Sequence, residues 1–193
     1  EIYHNLSNDI RNILTEPIGA TMSSIHPTVS EALKFTYSDY LLLPDNEKRY
    51  EILEGELLMS PSPNTKHQIV LLKLARILSE FVEKNSLGQI FIAPYDIVLS
   101  KYDVVQPDII FISSRNIQII KPTHVEGVPD LVVEIISPGS TQRDRIIKRK
   151  IYALHGVKEY WLVHPEKEQV QILWLEKGDF KRITELTTED RLT

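Results

Sequence analysis

The segment that most limits how this chain can fold is Leu131-Val132-Val133-Glu134-Ile135-Ile136. Apolar residues fall on both faces of a strand here, so the strand belongs in the interior of a sheet. One carboxylate stands inside it. Burying an unpaired ionised carboxylate costs several kcal/mol, so Glu134 must meet a cation, meet strong donors or hold a proton. Asp108 repeats the arrangement within Val104-Val105-Gln106-Pro107-Asp108-Ile109-Ile110-Phe111. Pro107 removes a ladder donor beside it, which predicts an edge position or a local bend. Read singly, Glu134 also fits a satisfied core glutamate and Asp108 a solvent-facing edge residue. Read together, two acids on separate apolar strands can converge on one hard cation. Magnesium takes oxygen ligands, often one or two carboxylates completed by waters and substrate phosphates.

The segment after Glu134 supplies the opposite charge. Ser137 to Thr141 forms a turn with several helix-capping residues, and a helix follows to about His155, with Gly156 as its C′ residue. Asp144, Lys148 and Tyr152 share one stripe of that helix at i, i+4, i+8, and Arg145 and Arg149 make the neighbouring stripe. A lysine beside a metal-bound phosphate stabilises developing negative charge and orients the attacking water. A solvated surface helix with an ordinary Asp144–Lys148 pair is the plainer reading of the same run.

Around these segments the pattern reads as a mixed β-sheet flanked by helices, with an N-terminal and a C-terminal β-hairpin. Ser38 caps a short helix, SDYLLL, that stops at Pro44. YEILEGELLMSP turns at Glu54-Gly55. Asn64 or Thr65 caps a long helix whose apolar residues Val70, Leu71, Leu74, Ala75, Leu78, Phe81 and Val82 recur at helical spacing, and Gly88 ends it. GQIFIAPYDIVLS is expected as one long strand with an edge or bulge at Pro94, VVQPDIIFIS as another, and EYWLVH as a buried strand. EQVQILWLEKGDFKRI turns at Lys177-Gly178, and its apolar face covers either the core or a partner. Residues 1–35 form a partly irregular lead-in with a short helix near Leu6–Leu14; 36–185 form the domain, and 186–193 a tail.

Composition narrows the function classes. The 193 residues include no cysteine, which excludes disulfides and thiolate zinc sites and makes the cytoplasm the expected compartment. No apolar run is long enough to span a bilayer, and EIYHNLSNDIRNIL does not read as a signal peptide. The net charge of -5 argues against avid bulk binding to nucleic acid, although acidic metal ligands contribute part of that charge.

Together, Gln106-Pro107-Asp108, Glu134-Ile135-Ile136-Ser137-Pro138 and Asp144…Lys148…Tyr152…Gly156-Val157-Lys158-Glu159-Tyr160-Trp161 resemble the Uma-two-like endonuclease family of the PD-(D/E)XK superfamily. Tyr50-Glu51-Ile52-Leu53-Glu54-Gly55-Glu56 and Ser60-Pro61…His67 are similar to it as well, so the likeness spans roughly residues 36–185. It implies a restriction-endonuclease-like fold, metal ligands Asp108 and Glu134, and Lys148 as the catalytic lysine. Glu51 matches the early acidic position and is a third candidate ligand. Asp144 and Tyr152 would orient Lys148, and His67 would face the site from the start of the long helix. The superfamily's usual lysine, two residues after the glutamate, is replaced by Ile136, so the lysine must come from the following helix; Lys150 is the alternative to Lys148.

The expected activity is therefore magnesium- or manganese-dependent hydrolysis of nucleic-acid phosphodiesters, with DNA the expected substrate. Arg145, Arg149 and Lys150 are the candidate nucleic-acid contacts. A homodimer is compatible with the sequence and a membrane partner is not expected. The alternative is a catalytically inactive module of the same fold that binds nucleic acid or a protein partner.

Overall fold

The computed structural model describes residues 34–44, 48–60, 62–137 and 142–187, without the side chains of Arg143 and Asp144. The expected lead-in helix lies outside the described residues. A short helix α1 (Tyr37–Tyr40) opens the described chain. Its N-cap is Thr36, whose hydroxyl accepts from the Asp39 amide while the Asp39 carboxylate accepts from the Thr36 amide. This reciprocal box displaces the predicted start at Ser38 by two residues.

Strands β1 (Arg49–Leu53) and β2 (Glu56–Ser60) form the first hairpin, with Glu54 and Gly55 both at positive φ in its two-residue turn. The long helix α2 (Thr65–Lys84) is capped by Asn64, whose side-chain oxygen accepts from the His67 amide at 2.8 Å. Its apolar stripe is buried as the spacing predicts, with Phe81 partly buried at its margin.

The predicted long strand over residues 88–100 is two strands, β3 (Gly88–Ile92) and β4 (Asp96–Ser100), in different sheets. Pro94 has no N–H to offer either ladder, and the chain changes sheets there. The second predicted long strand divides for the same reason at Pro107, into β5 (Asp103–Val105) and β6 (Ile109–Ser113). Strand β7 (His124–Glu126) follows a 3-10 turn in the connecting region, and β8 (Leu131–Ile135) is the apolar run that carries Glu134. Helix α3 (Gln142–His155), β9 (Glu159–His164) and the hairpin β10 (Gln169–Glu176) to β11 (Asp179–Thr187) complete the order.

Six strands make a mixed sheet in the order β11-β10-β9-β8-β6-β3, in which β8 and β9 are parallel. Five make a second sheet, β2-β1-β5-β4-β7, which periodicity did not foresee. Alternation along β6, β8 and β9 divides the core. Ile109, Phe111, Leu131, Val133, Trp161 and Val163 meet the stripe of α2. Ile110, Ile112, Val132 and Tyr160 face the other way, toward Ile151 and Tyr152 of α3 and Leu53, Ile97 and Val105 of the second sheet. The terminal hairpin covers the core: Val170 and Ile172 join the first cluster, Leu173 and Phe180 the second. No helix among the described residues is long and apolar enough to cross a membrane.

Gly88 does not end α2, as the sequence suggested, but begins β3. A Cβ at this position would lie 2.1 Å from the Ile112 carbonyl oxygen and 2.8 Å from Ser113 Cα. Both are backbone atoms of the paired strand and cannot swing away. Gly88→Ala is expected to lower stability by about 2–3 kcal/mol, as overpacking does, read as a fall in the urea midpoint at unchanged m-value.

Candidate functional site

Strand register brings the two anomalous acids together. β6 and β8 pair antiparallel with Ile109 opposite Val133 and Ile110 opposite Val132. Asp108 stands just beyond the end of this pairing, next to Glu134 on β8; its carboxylate meets His67 of α2, while that of Glu134 meets Lys148 and Tyr152 of α3. The ladder stops there because Pro107 interrupts β6. Asp108 fills the gap: its Oδ2 accepts from the Ile135 amide at 2.7 Å. Glu51 performs the same service on the other side of the break, where its Oε1 accepts from the Gln106 amide at 2.7 Å and its Oε2 from the Ser60 hydroxyl at 3.1 Å. Two acids thus satisfy backbone donors that the proline break would otherwise leave buried and unpaired.

Lys148 reaches this junction from α3. Its ammonium lies 2.9 Å from Glu51 Oε1 and 3.0 Å from Glu134 Oε1, with only 13% of the side chain exposed. Tyr152, one turn on, donates its hydroxyl to the same Glu134 oxygen at 2.7 Å. Both members of this i, i+4 pair on α3 therefore bond Glu134, and Lys148 bonds Glu51 as well. His67, in the first turns of α2, is buried with its Nε2 3.2 Å from Asp108 Oδ1. Its Nδ1 is also buried and lacks a hydrogen-bond partner among the described residues.

Burial pushes the Glu134 carboxyl up to about 7, and the like charges of Asp108 and Glu51 add to the effect, while Lys148 and the Tyr152 hydroxyl oppose it. Burial also disfavours the Lys148 ammonium, but the charges of Glu134 and Glu51 and their hydrogen bonds outweigh it and raise the group above its ordinary value. The two shifts are compatible. One ammonium cannot neutralise three neighbouring carboxylates, so Lys148 stays charged while Glu134 retains a proton up to neutrality.

Glu51, His67, Asp108, Glu134 and Lys148 line a cavity of about 110 Å³ together with Arg49, Gln106, Ile136 and Arg145. A buried water needs roughly 10–15 Å³ of such space, so a partly hydrated ion can be held. Among the described residues no group of three or more His, Cys, Asp or Glu side chains is placed to hold a metal ion. The donor chemistry nevertheless suits a hard cation. Magnesium is commonly held by one or two carboxylates with waters and substrate phosphate supplying the rest, and here Glu51, Asp108 and Glu134 all border the cavity.

The remaining candidates are placed as follows. Arg145 lines the cavity. Arg149 turns to the C-terminal hairpin, bonding Asp179 Oδ1 at 3.0 Å and the Phe180 carbonyl at 2.5 Å. Lys150 is exposed and pairs with Glu54 Oε1 at 2.6 Å, away from the acids. The Asp144 side chain lies outside the described residues. Ile136 lines the cavity and contributes no charge. Arg49 was not singled out in the sequence, and Gln106 stood there only as part of the Gln106-Pro107-Asp108 motif, with no role of its own. The available signal was the alternation of Arg49, Glu51 and Leu53 along β1, which puts all three on the cavity side.

Comparison with known proteins gives a consistent result. The model of the Uma2 family, described as "Putative restriction endonuclease", matches residues 37–193. No curated protein matches the chain. Among solved structures, a putative nuclease from Anabaena variabilis superposes with a TM-score of 0.65 at 20% identity, covering 76% of this chain and 83% of that one. A likeness at this identity bears on the fold.

Proposed function

The chain belongs to the Uma2 family and has a nuclease-like fold, and on that footing we propose that it is a divalent-metal-dependent nuclease hydrolysing phosphodiester bonds of nucleic acid, with DNA as substrate and magnesium or manganese as the ion. The observation that carries this reading is the Lys148 ammonium held between Glu51 and Glu134, with Asp108 bonded to the Ile135 amide beside Glu134. Asp108 and Glu134 would hold the ion, with Glu51 beside them. The ion supplies polarisation of the phosphoryl oxygen and a lowered pKa for the attacking water.

The chain's own residues do the rest. Lys148 presents a positive charge fixed by two acids, so it costs little reorganisation as negative charge grows on the phosphate. Tyr152 and Lys148 both bond Oε1 of Glu134, so Oε2 is the oxygen that would be offered to an ion. The amide of Ile135 and the ring of His67 fix the plane of the Asp108 carboxylate. Outer partners of this kind orient metal-ligating groups.

The test is a joint titration of magnesium or manganese with plasmid DNA, single-stranded DNA and RNA, comparing wild type with the Asp108→Ala/Glu134→Ala double variant. Wild type is expected to bind the ion and cut DNA, and the folded double variant to do neither. Oligonucleotide binding that persists undiminished in the double variant, with no cutting by wild type under any ion, would favour an inactive binding module of the same fold.

A further inference from the structure

We propose that Arg49 is the residue that seats a backbone phosphate of the substrate strand beside the acidic centre, and that Gln106 aims it. The inference rests on the nuclease reading for the identity of the ligand. It rests on the structure for the site.

Arg49 is two residues from Glu51 on β1 and faces the same cavity. Its Nε donates to Gln106 Oε1 and its Nη2 to the Gln106 carbonyl, each at 3.1 Å. Both acceptors are uncharged, so the guanidinium is oriented without being neutralised. The bonds use the Nε–Nη2 edge of the fork and leave the Nη1–Nη2 edge, a pair of donors that a phosphate can bridge.

Gln106 is itself immobilised. Its side-chain amide donates to Asp96 Oδ1 at 2.7 Å and to the Tyr40 hydroxyl at 3.1 Å. Tyr40 donates to the same Asp96 oxygen at 2.8 Å, and the Gln106 backbone amide is held by Glu51. Burial and the bond to Asp96 raise the Tyr40 hydroxyl above its ordinary value, so it remains a donor. A chain of four residues from α1, β4, the proline break and β1 therefore ends in one preorganised cation at the cavity wall.

That arrangement suits an anion brought in by a ligand. Lys148 is already shared by Glu51 and Glu134, and Arg149 is engaged at the C-terminal hairpin. A phosphodiester strand laid across the cavity would meet Arg49 on β1 and Arg145 on α3, with its scissile phosphate between them at the acids. Arg49 is then a positioning residue for the strand and contacts no reacting atom.

The experiment compares wild type, Arg49→Gln and Arg49→Lys. A labelled oligonucleotide is titrated in calcium over a range of salt, and cleavage is followed in magnesium. Arg49→Gln is expected to weaken binding and raise KM about tenfold, as loss of a charge-assisted contact does, with kcat changed much less. It should also flatten the slope of log affinity against log salt by about 0.7–0.9, one phosphate's share. Arg49→Lys should restore the slope but not the full affinity, because a lysine cannot use the Gln106 bridge. If wild type binds the oligonucleotide but cuts nothing, the nuclease reading fails while the slope change still reports Arg49. Unchanged affinity and slope in folded Arg49→Gln would overturn the proposal, as would a wild type that binds no oligonucleotide. Competition by inorganic phosphate as strong as by the oligonucleotide would overturn the assignment to a strand, since the seated group would then be a free phosphate.

Discussion

Lys148→Met is expected to be the most damaging single substitution in the described chain, lowering stability by about 3–5 kcal/mol at pH 8, the usual cost of removing one partner from a buried ion pair. Methionine fills much of the same volume, so the loss is electrostatic. It leaves Glu51 and Glu134 without their shared cation, in a cavity that Asp108 also lines. Glu51 and Glu134 also belong to different sheets, so the lysine ties the two sheets together at this point. The defect should shrink at pH 5, where Glu134 takes up a proton, and should be partly repaired by millimolar magnesium, which replaces the missing charge. Urea melts at the two pH values, with and without the ion, check each statement. Cleavage should fall by about 10²–10³-fold even where the variant is folded, the range seen when a charge-stabilising donor is lost. A variant as stable as wild type at pH 8 would show that the ammonium contributes nothing to holding the acids together.

Glu134→Gln is expected to move stability in the opposite direction. The folded carboxyl is pushed up to about 7 from an ordinary 4.5. Wild type therefore has the full contribution of this group below pH 4.5 and loses it as pH rises through about 7, because the folded state must give up a proton it holds more tightly than the unfolded chain does. The gap of about 2.5 pH units corresponds to about 3 kcal/mol. A glutamine does not titrate, so the variant should match wild type near pH 4.5 and exceed it by about 2–3 kcal/mol at pH 8 without metal. Saturating magnesium should reverse the order, since it stabilises only the form that binds it. The same variant should lose metal-dependent cleavage. A wild type at least as stable as the variant at pH 8 in chelator would contradict the assigned direction of the Glu134 shift. The site is thus costly to the empty fold, a common relation between function and stability.

Much of this was legible in the chain itself. An acid inside an apolar strand is a conflict that periodicity cannot resolve, and the fold brings Glu134 and Asp108 to one cavity. The stripe Lys148–Tyr152 was visible from helical spacing alone, and both side chains converge on Glu134. The hairpins at Glu54-Gly55 and Lys177-Gly178 followed from turn chemistry. Other features depended on long-range placement. Pro94 and Pro107 signalled local irregularity, but only the tertiary fold makes each a passage from one sheet to the other. Arg149 and Lys150 carry the same charge as Lys148 and sit within two residues of it, yet the helix turns them to Asp179 and Glu54. Arg49 went unnoticed because an arginine at the start of a hairpin strand is ordinary; its bond to Gln106, 57 positions away, is what distinguishes it.

The two amides beside the Pro107 break have a practical consequence. Ile135 and Gln106 donate to the side chains of Asp108 and Glu51 instead of to ladder carbonyls. Their resonances in an amide spectrum should therefore act as built-in reporters, shifting when an ion draws charge from those carboxylates, while neighbours such as Ile136, bonded to the Val163 carbonyl, stay in place. Ion loading could then be followed at two backbone nuclei before any substrate has been found.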